Sequence, residues 1–517
     1  MNEIDLTGGD DSDNSTVAYE ISSTSSSDSS FDDFLPSSSK RAKIDSSKEE
    51  EKHGKQSTID ESIGSMRLTR VAKLSNNHNQ NAVSIKQILA GQPGFGPLLR
   101  SFQFNYLFDI EWLLEQYPSY ARTLPLFIVH GLRDGNLHGL KLQKEPYPQI
   151  NLLKAHLESM YGTHHTKMML LEFRNGLQIV IHTSNLIEQD WHQKTQMVWS
   201  SPLLRRKGDS STATKSSSFF LQSIAQYLRY YKINELSDFC KEMEQKFDFS
   251  VINDERVHFI GSVPGRHKGM LLNSFGHMRL RTLLKKKLTK YQNCSKFKPL
   301  RPIYQFSSIG SLGSDQDKWL QSEFTESCTV FAHERLSNVG HLISTSATSL
   351  ASKPRPLLIF PCVNDVKESL EGYAAGGSLP YQRQTAEKQP WLRNFLHCWR
   401  SHRSGRSRAM PHVKTYSVLS NDFSKIFYFL LTSANLSKAA WGRLEKNESQ
   451  LMILSYEAGV LMLPPLLDQE DQLPFWQVEQ SPLPFDVPPQ PYSQRDQPWV
   501  VDDVYRQPDS HGNTWPC

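Results

Sequence analysis

One outline of residue types occurs twice in this chain, once in each half. The two copies read "HTKMMLLEFRNGLQIVIHTSNLIEQDW" (165–191) and "HVKTYSVLSNDFSKIFYFLLTSANLSKAAW" (412–441). His165 stands two positions before Lys167, and His412 stands two positions before Lys414. An Asn follows the Lys 18 positions later in the first copy and 21 in the second, and each Asn is followed by a Trp after six positions. A single His-x-Lys pattern carries almost no information about function, but the matched pair predicts two half-sites related by duplication.

The residue types in this outline suit a phosphodiester. Residues i and i+2 of an extended strand point to the same face, and an Asn in the loop after a neighbouring strand, Asn185 or Asn435, can meet them there. Ammonium and carboxamide groups can hold nonbridging phosphate oxygens and stabilise the charge of a five-coordinate transition state. One neutral imidazole can attack phosphorus while a protonated imidazole opposite donates a proton to the leaving oxygen. This chemistry requires no metal.

Length and composition exclude several classes of protein. A chain of 517 residues is too long for one core, so two to four domains are expected. The six cysteines lie far apart without a CxxC pair, which supports neither a zinc ribbon nor a secreted disulfide framework. The acidic amino terminus has no apolar signal region, and no uncharged apolar run of about 18 residues occurs. We therefore expect a protein of a reducing compartment that is neither secreted nor membrane-spanning.

The net charge of +4 is divided unevenly along the chain. Residues 1–65 carry 15 Asp and Glu against 6 Lys and Arg, which leaves +13 for residues 66–517. A basic body favours phosphate-bearing partners, with an ordinary solvated surface as the alternative. The leader has 12 Ser in its first 39 residues and is predicted to be disordered, because it cannot bury enough apolar surface to offset its ordering entropy. Its basic cluster "KRAK" (40–43) is interpreted as a nuclear address, with ordinary disorder as the alternative.

From about residue 66 the chain alternates short apolar runs with amphipathic segments. Strands are predicted at 124–131, 168–173, 177–184, 196–202, 356–363, 424–433 and 450–463, and helices at 218–232, 277–292 and 385–402. Strands that alternate with helices predict layered α/β domains. The stretch "GSVPGRHKG" (261–269) has the Gly and Pro residues expected of the connection between two such domains.

Further motifs accompany the two copies. They are "GTHHTKMMLL", "HTSNLIEQDWHQKTQ", "SSIGSLG", "GGSLPY", "SGRSRAMPHVKTY" and "TSANLSKAAWG". Together they resemble the HKD superfamily of phospholipase D-type enzymes, and specifically the tyrosyl-DNA phosphodiesterases, over roughly residues 66–517. The resemblance implies an α/β fold of two pseudo-symmetric phospholipase D-like α-β-α sandwich domains with mixed sheets, at 66–262 and 263–517, after the disordered leader at 1–65.

The sequence departs from the usual phospholipase pattern, which places an Asp five residues after each lysine. Glu172 and Leu419 occupy those positions. The Asp is likewise missing from tyrosyl-DNA phosphodiesterases, and the resemblance implies that Gln196 and Glu457 support the two histidines instead, with Glu457 behind His165. Glu172 is interpreted as a solvent-facing strand residue.

The resemblance also implies a mechanism and a substrate. His165 would be the nucleophile that forms a phosphohistidine, and His412 the general acid and then the general base. Lys167, Lys414, Asn185 and Asn435 would clamp the phosphate. The bond cut would join a DNA 3'-phosphate to the tyrosine of a stalled topoisomerase I, or to another 3'-blocking group. Neither a metal nor another cofactor is implied.

Binding residues are assigned mainly from the resemblance. The DNA contacts implied are Ser307, Ser308 and Ser311 of "SSIGSLG", Ser437 and Lys438 after "TSAN", and the aromatic residues Tyr161 and Tyr106. Ser378 and Pro380 of "GGSLPY" would face the peptide side of the adduct. A functionless Ser/Gly turn, and core packing of the aromatic residues, are the alternatives. His164, His182 and His192 break the repeat and are interpreted as structural.

Two other functions remain open at this stage. One is a general phospholipase D-like nuclease or lipid phosphodiesterase, and the other is a catalytically inactive scaffold that binds DNA. The implied partners are single- and double-stranded DNA with 3'-blocked ends, a topoisomerase I-derived peptide, and repair proteins recruited by the leader. We expect a monomer without membrane attachment, located in the nucleus and also considered for the cytoplasm.

Overall fold

The computed structural model describes residues 61–208, 218–291, 299–332, 354–467 and 472–516. The predicted leader and its basic cluster lie outside these residues, except for its last five positions, 61–65. Within the described part of the chain, no helix has both the length and the hydropathy needed to cross a bilayer.

The described residues form nineteen strands, which fall into two large sheets and one small one. They are β1 (Ser65–Leu68), β2 (Leu98–Phe104), β3 (Leu126–His130), β4 (Ile150–Lys154), β5 (Met168–Phe173), β6 (Gly176–His182), β7 (Met197–Ser200), β8 (Leu204–Arg205), β9 (Val257–Ser262), β10 (Gly265–Lys268), β11 (Arg301–Gln305), β12 (Leu357–Ile359), β13 (Leu396–His397), β14 (Thr415–Leu419), β15 (Lys425–Thr432), β16 (Arg443–Glu445), β17 (Gln450–Ile453), β18 (Glu457–Met462) and β19 (Trp476–Gln477).

Twelve α-helices connect and cover these strands in the described ranges. They are α1 (Asn76–Asn79), α2 (Ile85–Ala90), α3 (Ile110–Gln116), α4 (Asp134–Lys144), α5 (Glu188–His192), α6 (Phe219–Arg229), α7 (Asn234–Lys246), α8 (Gly276–Leu288), α9 (Glu326–Thr329), α10 (Val363–Lys367), α11 (Arg383–Lys388) and α12 (Lys438–Trp441). A π-helical turn spans Leu320–Thr325, and 3₁₀ turns include Gly372–Ser378 and Pro390–Phe395.

The two large sheets share one topology. The strand order is β4-β3-β2-β5-β6-β7-β1 in the first sheet and β13-β12-β11-β14-β15-β18-β9 in the second. In each sheet the first two pairings are parallel and the remaining four are antiparallel. The predicted α/β class with two mixed sheets is confirmed, and the duplication seen in the motifs extends to the order and direction of the strands.

The central strands are buried on both faces. Every residue of β5 is buried, with Met168 and Leu170 in one hydrophobic core and Met169 and Leu171 in another. This alternation follows from the two-residue period of a strand. Residues of α2, α3 and α4 cover one face, whereas the other core includes α6, α7 and the strands of the second sheet. Burial on both faces explains why these strands read as continuous apolar runs.

The interpretation of Glu172 as solvent-facing is wrong. Glu172 lies in β5 with only 5% of its surface exposed, and its carboxylate oxygens lie 2.5 Å from Nε of Arg100 and 2.5 Å from Nη2 of Arg206. A strand in the middle of a covered sheet has no solvent face, so a carboxylate there requires cationic partners. Glu172 therefore belongs to a buried ion-pair network of the first sheet.

Two predicted segments differ from the structure. The helix predicted at 385–402 ends at Lys388, and Pro390 begins a 3₁₀ turn that leads into β13. Proline lacks an amide hydrogen and disfavours a helical residue before it. Strands β9 and β10 occupy most of the predicted connection at 261–269. Because β9 pairs with β18 in the second sheet, that sheet includes residues before 263, and the domain boundary at 262/263 stays a prediction.

Buried histidines make the fold sensitive to acid. Burial lowers the pKa of five of them to about 4 or about 3: His130, His164, His182, His258 and His277. The folded protein therefore binds fewer protons than the unfolded chain, and stability is lost as pH falls from about 6.5 towards these lower pKa values. We expect urea unfolding to show a loss of roughly 1–2 kcal/mol per histidine between about pH 8 and pH 5.

A matched pair of variants tests this prediction. His182→Leu removes a fully buried imidazole and should flatten the dependence of the unfolding free energy on pH. His192→Leu, at an exposed position nearby, should leave that dependence unchanged. An identical pH dependence in His182→Leu and the parent protein would contradict the assignment.

Candidate active site

Corresponding strand ends bring the two copies of the motif together. The segments that contain the His-x-Lys pairs lead into β5 and β14, which are equivalent strands of the two sheets. Asn185 follows β6 and Asn435 follows the equivalent β15. Gln196 directly precedes β7, and Glu457 is the first residue of the equivalent β18. Strands β6 and β7 contact β15 and β18 across the junction, so all these strand ends meet at one place.

Main-chain hydrogen bonds cross between the halves beside each histidine. The amide of His165 donates to the carbonyl of Tyr456 at 3.0 Å, and the amide of His412 donates to the carbonyl of Thr195 at 3.0 Å. Tyr456 and Thr195 are the residues immediately before Glu457 and Gln196. Each histidine is thus joined through the backbone to the neighbour of a side chain from the other half.

A carboxylate holds the ring of His165. Nδ1 of His165 lies 3.0 Å from Oε2 of Glu457, which also accepts a 2.5 Å hydrogen bond from Oγ of Ser433. Burial opposes ionisation of Glu457, but the charge of His165 and these hydrogen bonds lower the pKa of its carboxyl. An ionised Glu457 accepts the Nδ1 proton of His165. The other ring nitrogen, Nε2, is then unprotonated and able to act as a nucleophile.

An amide holds the ring of His412. Nε2 of Gln196 lies 3.1 Å from Nδ1 of His412, and Oε1 of Gln196 accepts a 2.7 Å hydrogen bond from Oγ1 of Thr183. Thr183 and Ser433 hold equivalent places, two residues before the motif Asn of each copy. The sequence prediction did not include these two hydroxyl groups, although the Thr and Ser of "TSN" and "SAN" signalled them.

Two buried ammonium groups face this site. Lys167 and Lys414 have no exposed surface, and each Nζ donates to the carbonyl two residues before it, at 3.3 Å and 2.6 Å. In the described ranges, no carboxylate oxygen lies within ion-pair distance of either group. Burial lowers the pKa of Lys167 to about 8 and that of Lys414 well below its usual value. Buried cations without direct counterions are costly, and the site therefore favours an anionic ligand.

The electrostatics show that both halves form one site. Burial, and then the charges of Lys167 and Lys414, lower the pKa of His165 to about 4, against the opposing effect of Glu457. Burial and the charges of Lys414, Lys167 and His165 lower the pKa of His412 well below 6.5. Each imidazole thus senses cations of both copies, which disfavours its protonation. A bound phosphate would offset the cations and raise both pKa values.

The two asparagines are held by different partners. Oδ1 of Asn435 accepts hydrogen bonds from N of Ser307 at 3.1 Å, Oγ of Ser307 at 3.2 Å and N of Ser308 at 3.1 Å. Its acceptor capacity is used, so its Nδ2 donor remains for a ligand. In the first copy, Nε1 of Trp191 donates to the carbonyl of Asn185 at 2.9 Å, whereas Nε1 of Trp441 in the second copy donates to the hydroxyl of Tyr416 at 3.2 Å.

Comparison with known proteins agrees with this geometry. The family model described as tyrosyl-DNA phosphodiesterase matches residues 65–493. The chain belongs to the tyrosyl-DNA phosphodiesterase family. It is accordingly a phosphodiesterase and a hydrolase.

Named relatives match along most of their length. The chain is 35% identical to tyrosyl-DNA phosphodiesterase 1 of Arabidopsis thaliana over 501 residues, which covers 87% of this chain and 76% of the relative. It is 36% identical to tyrosyl-DNA phosphodiesterase 1 of Drosophila melanogaster over 452 residues, which covers 84% and 73%. The crystal structure of the yeast tyrosyl-DNA phosphodiesterase superposes with a TM-score of 0.62 at 21% identity, covering 85% of this chain and 99% of that one. The phospholipase D-like fold is thereby confirmed.

The hydroxyl groups assigned to DNA already have protein partners. Ser307 is buried and bound to Asn435, and Oγ of Ser308 donates to the carbonyl of Pro380 at 2.7 Å. Oγ of Ser437 accepts from N of Ala440 and caps α12. These contacts join the predicted DNA side to the predicted peptide side. Whether the hydroxyl groups also bind DNA stays a prediction.

The remaining residues assigned to binding differ in exposure. The ring centroid of Tyr106 lies 5.9 Å from that of His165, and Tyr161 is 37% exposed. Ser311, Lys438 and Ser378 are partly exposed, and Pro380 is exposed. Their roles in this family member stay predictions.

The three extra histidines have distinct surroundings. Nδ1 of His164 lies 3.0 Å from the carbonyl of Asn105, and its Nε2 lies 3.0 Å from the hydroxyl of Tyr231. His182 is fully buried beside Trp191, and His192 is exposed at the end of α5. These contacts fit the structural interpretation without testing it.

The sequence prediction missed one carboxylate. Oδ2 of Asp190 lies 3.3 Å from Nδ1 of His412, and Asp190 has no exposed surface. The second copy has Ala440 at the equivalent position, five residues after its motif Asn. This difference between the two copies was the sequence signal that could have identified Asp190.

The loop that carries Ser307 and Ser308 is packed tightly on the loop after Asn435. A Cβ added to Gly310 would lie 2.6 Å from Cβ of Ser437. We expect Gly310→Ala to reduce the free energy of unfolding by about 1–3 kcal/mol because a neighbour must shift. Gly377→Ala is the matched control, because a Cβ there meets no atom within 4 Å. Equal unfolding free energies for the two variants would contradict the tight contact.

Proposed function

We propose that this family member hydrolyses the bond between a DNA 3'-phosphate and a tyrosine, as left by a stalled topoisomerase I, and releases other 3'-blocking groups. One observation carries the proposal. His165 and His412, from different halves, sense the charges of Lys167 and Lys414, two buried lysines that have no carboxylate within ion-pair distance among the described residues. A phosphodiester supplies the missing negative charge and the atom that a nucleophile can attack.

In the first step, Nε2 of His165 attacks phosphorus as the bond from phosphorus to the tyrosyl oxygen breaks. His412, protonated when the phosphate is bound, gives its proton to the leaving oxygen. Lys167 and Lys414, together with the amide nitrogens of Asn185 and Asn435, stabilise the charge on the nonbridging oxygens. The products of this step are free tyrosine, or a peptide that contains it, and a DNA 3'-phosphohistidine.

In the second step, neutral His412 takes a proton from water as the water oxygen attacks phosphorus. The nitrogen–phosphorus bond breaks and returns His165 with its Nε2 lone pair. Glu457 supports the positive charge that His165 carries in the intermediate, whereas an amide at that place would only orient the ring. The product is a DNA 3'-phosphate, and no step is assigned to a metal.

The leaving group sets the preference for a tyrosyl ester. A phenol with a pKa of about 10 leaves more easily than a sugar hydroxyl, so one acid suffices. Internal DNA linkages should therefore be cut slowly. The proposal extends to single- and double-stranded DNA ends as substrates, a location in the nucleus, a monomeric state and recruitment of repair proteins by the leader.

The first test uses purified full-length protein in EDTA. The substrate is a single-stranded oligonucleotide that ends in 3'-phosphotyrosine, and phosphatidylcholine is the control substrate. We expect release of the 3'-phosphate oligonucleotide and no lipid turnover, because the acid is matched to a phenol leaving group. Lipid turnover alone would favour a phospholipase, and binding without turnover would favour an inactive scaffold.

The two histidines should respond differently to substitution. We expect His165→Ala to abolish turnover, because it removes the nucleophile. His412→Asn should slow turnover by about 10²–10⁴-fold and let a covalent protein–DNA species accumulate, visible on a denaturing gel. Equal losses in both variants without a trapped species would refute the assigned roles.

A further inference from the structure

Asp190 is a buried carboxylate that the proposed mechanism leaves without a role. It lies in α5, and its Oδ2 is 3.3 Å from Nδ1 of His412. The same oxygen accepts a 2.6 Å hydrogen bond from the main-chain N–H of Asn185. Its Oδ1 is buried without a hydrogen-bond partner among the described residues. A charged group is rarely held so far from water without a function or a strong partner.

The repeat shows what Asp190 adds. His165 has a carboxylate, Glu457, at its Nδ1, whereas the equivalent side chain beside His412 is the amide of Gln196. Asp190 places a carboxylate at the Nδ1 that would otherwise meet only an amide, and the first copy alone supplies it, because the second has Ala440. Each histidine therefore has one carboxylate, contributed by the opposite half of the chain.

The hydrogen bonds around Gln196 fix the direction of its amide. Oγ1 of Thr183 accepts from N of Met197 and so donates to Oε1 of Gln196, while Nε2 of Gln196 donates to the carbonyl of Asp190 at 3.3 Å. The group that faces Nδ1 of His412 is consequently the donor Nε2. An N–H donor fits an unprotonated Nδ1, and a carboxylate fits a protonated one. Gln196 thus favours the neutral tautomer of His412 that is protonated at Nε2, whereas Asp190 favours the forms protonated at Nδ1, which include the imidazolium.

We propose that Asp190 is a positioning residue that stabilises protonated His412 as the general acid. This inference rests on the proposed function. The other charged and titratable groups that act on His412 are Lys414, Lys167, His165 and Lys194, all of which disfavour its protonation. Lys194 is itself bound by Glu371 at 2.8 Å. Among the described residues, Asp190 is the carboxylate within ion-pair distance of His412.

Asp190 is subject to opposing electrostatic effects. Burial raises the pKa of the Asp190 carboxyl, and the charges of Lys194, Lys414 and Lys167 oppose this rise. Because Oδ2 of Asp190 lies 3.3 Å from Nδ1 of His412, the protonation of one group depends on that of the other. When His412 gives its Nε2 proton to the leaving oxygen, Nδ1 keeps its own proton beside the Asp190 carboxylate, and Nε2 is left with the lone pair that the second step needs.

The test compares two leaving groups on one DNA 3'-phosphate, tyrosine and the more acidic p-nitrophenol. For Asp190→Asn we expect kcat/KM to fall about 10²-fold with the tyrosyl ester, because acid catalysis is weakened. With the nitrophenyl ester it should change by only a few-fold, because that oxygen needs little protonation to leave. Equal losses with both esters, or no loss with either, would overturn the proposal.

A second carboxylate provides a rescue. Gln196→Glu places a carboxylate at the same Nδ1, within reach of the Thr183 hydroxyl. We expect the double variant Asp190→Asn with Gln196→Glu to recover at least about tenfold in kcat/KM with the tyrosyl ester. Lack of recovery together with equal losses on both esters would assign Asp190 to holding the Asn185 loop.

Controls separate this inference from the proposed function. Glu188→Gln removes an exposed carboxylate from the same helix and should leave both rates unchanged. If the parent protein cleaves neither ester, the proposed function fails whatever Asp190 does. If the parent cleaves both and Asp190→Asn loses the same factor on each, only the role of Asp190 fails. Unfolding by urea, followed for every variant, identifies losses that come from misfolding.

Discussion

The site depends on the backbone hydrogen bonds that cross between the halves. His165 is bonded to Tyr456, and His412 is bonded to Thr195. Because Glu457 and Gln196 come next in the chain, these hydrogen bonds also place a supporting side chain behind each histidine. Neither half contains a complete acid, base or nucleophile with its support. Duplication alone gives two similar surfaces. The two main-chain hydrogen bonds join them at one site.

Charge determines what the combined site can accept. Burial of two ammonium groups beside two imidazoles carries a desolvation cost. A bound anion would offset that cost. In the proposed mechanism the substrate does more than occupy the site, because its phosphate would raise the pKa of the imidazole that acts as the acid. The carboxylates are distributed so that His165, the proposed nucleophile, has Glu457 and His412, the proposed acid, has Asp190. The pseudo-symmetry of the fold is thus broken where the two histidines need different protonation states.

Much of this architecture could be predicted from the sequence. The repeated outline located the equivalent strand ends, because residue period and spacing are local properties. The sequence failed where distant parts of the chain decide the environment. The sequence does not show that Arg100 of β2 and Arg206 bring two guanidinium groups to Glu172. Pro390 was overlooked inside an otherwise helical pattern. Asp190 lies within the motif "HTSNLIEQDWHQKTQ", but its role depends on the ring of His412, more than two hundred residues away.

The central claim is that two histidines act in succession on one phosphorus atom. Stereochemistry tests it directly. A 3'-phosphotyrosyl oligonucleotide with a phosphorothioate of known configuration, hydrolysed in water enriched in oxygen-18, gives a chiral thiophosphate whose configuration can be determined. Each in-line displacement inverts phosphorus, so attack by His165 followed by water predicts overall retention. Overall inversion would mean that water attacks the diester directly, and the phosphohistidine account would be contradicted.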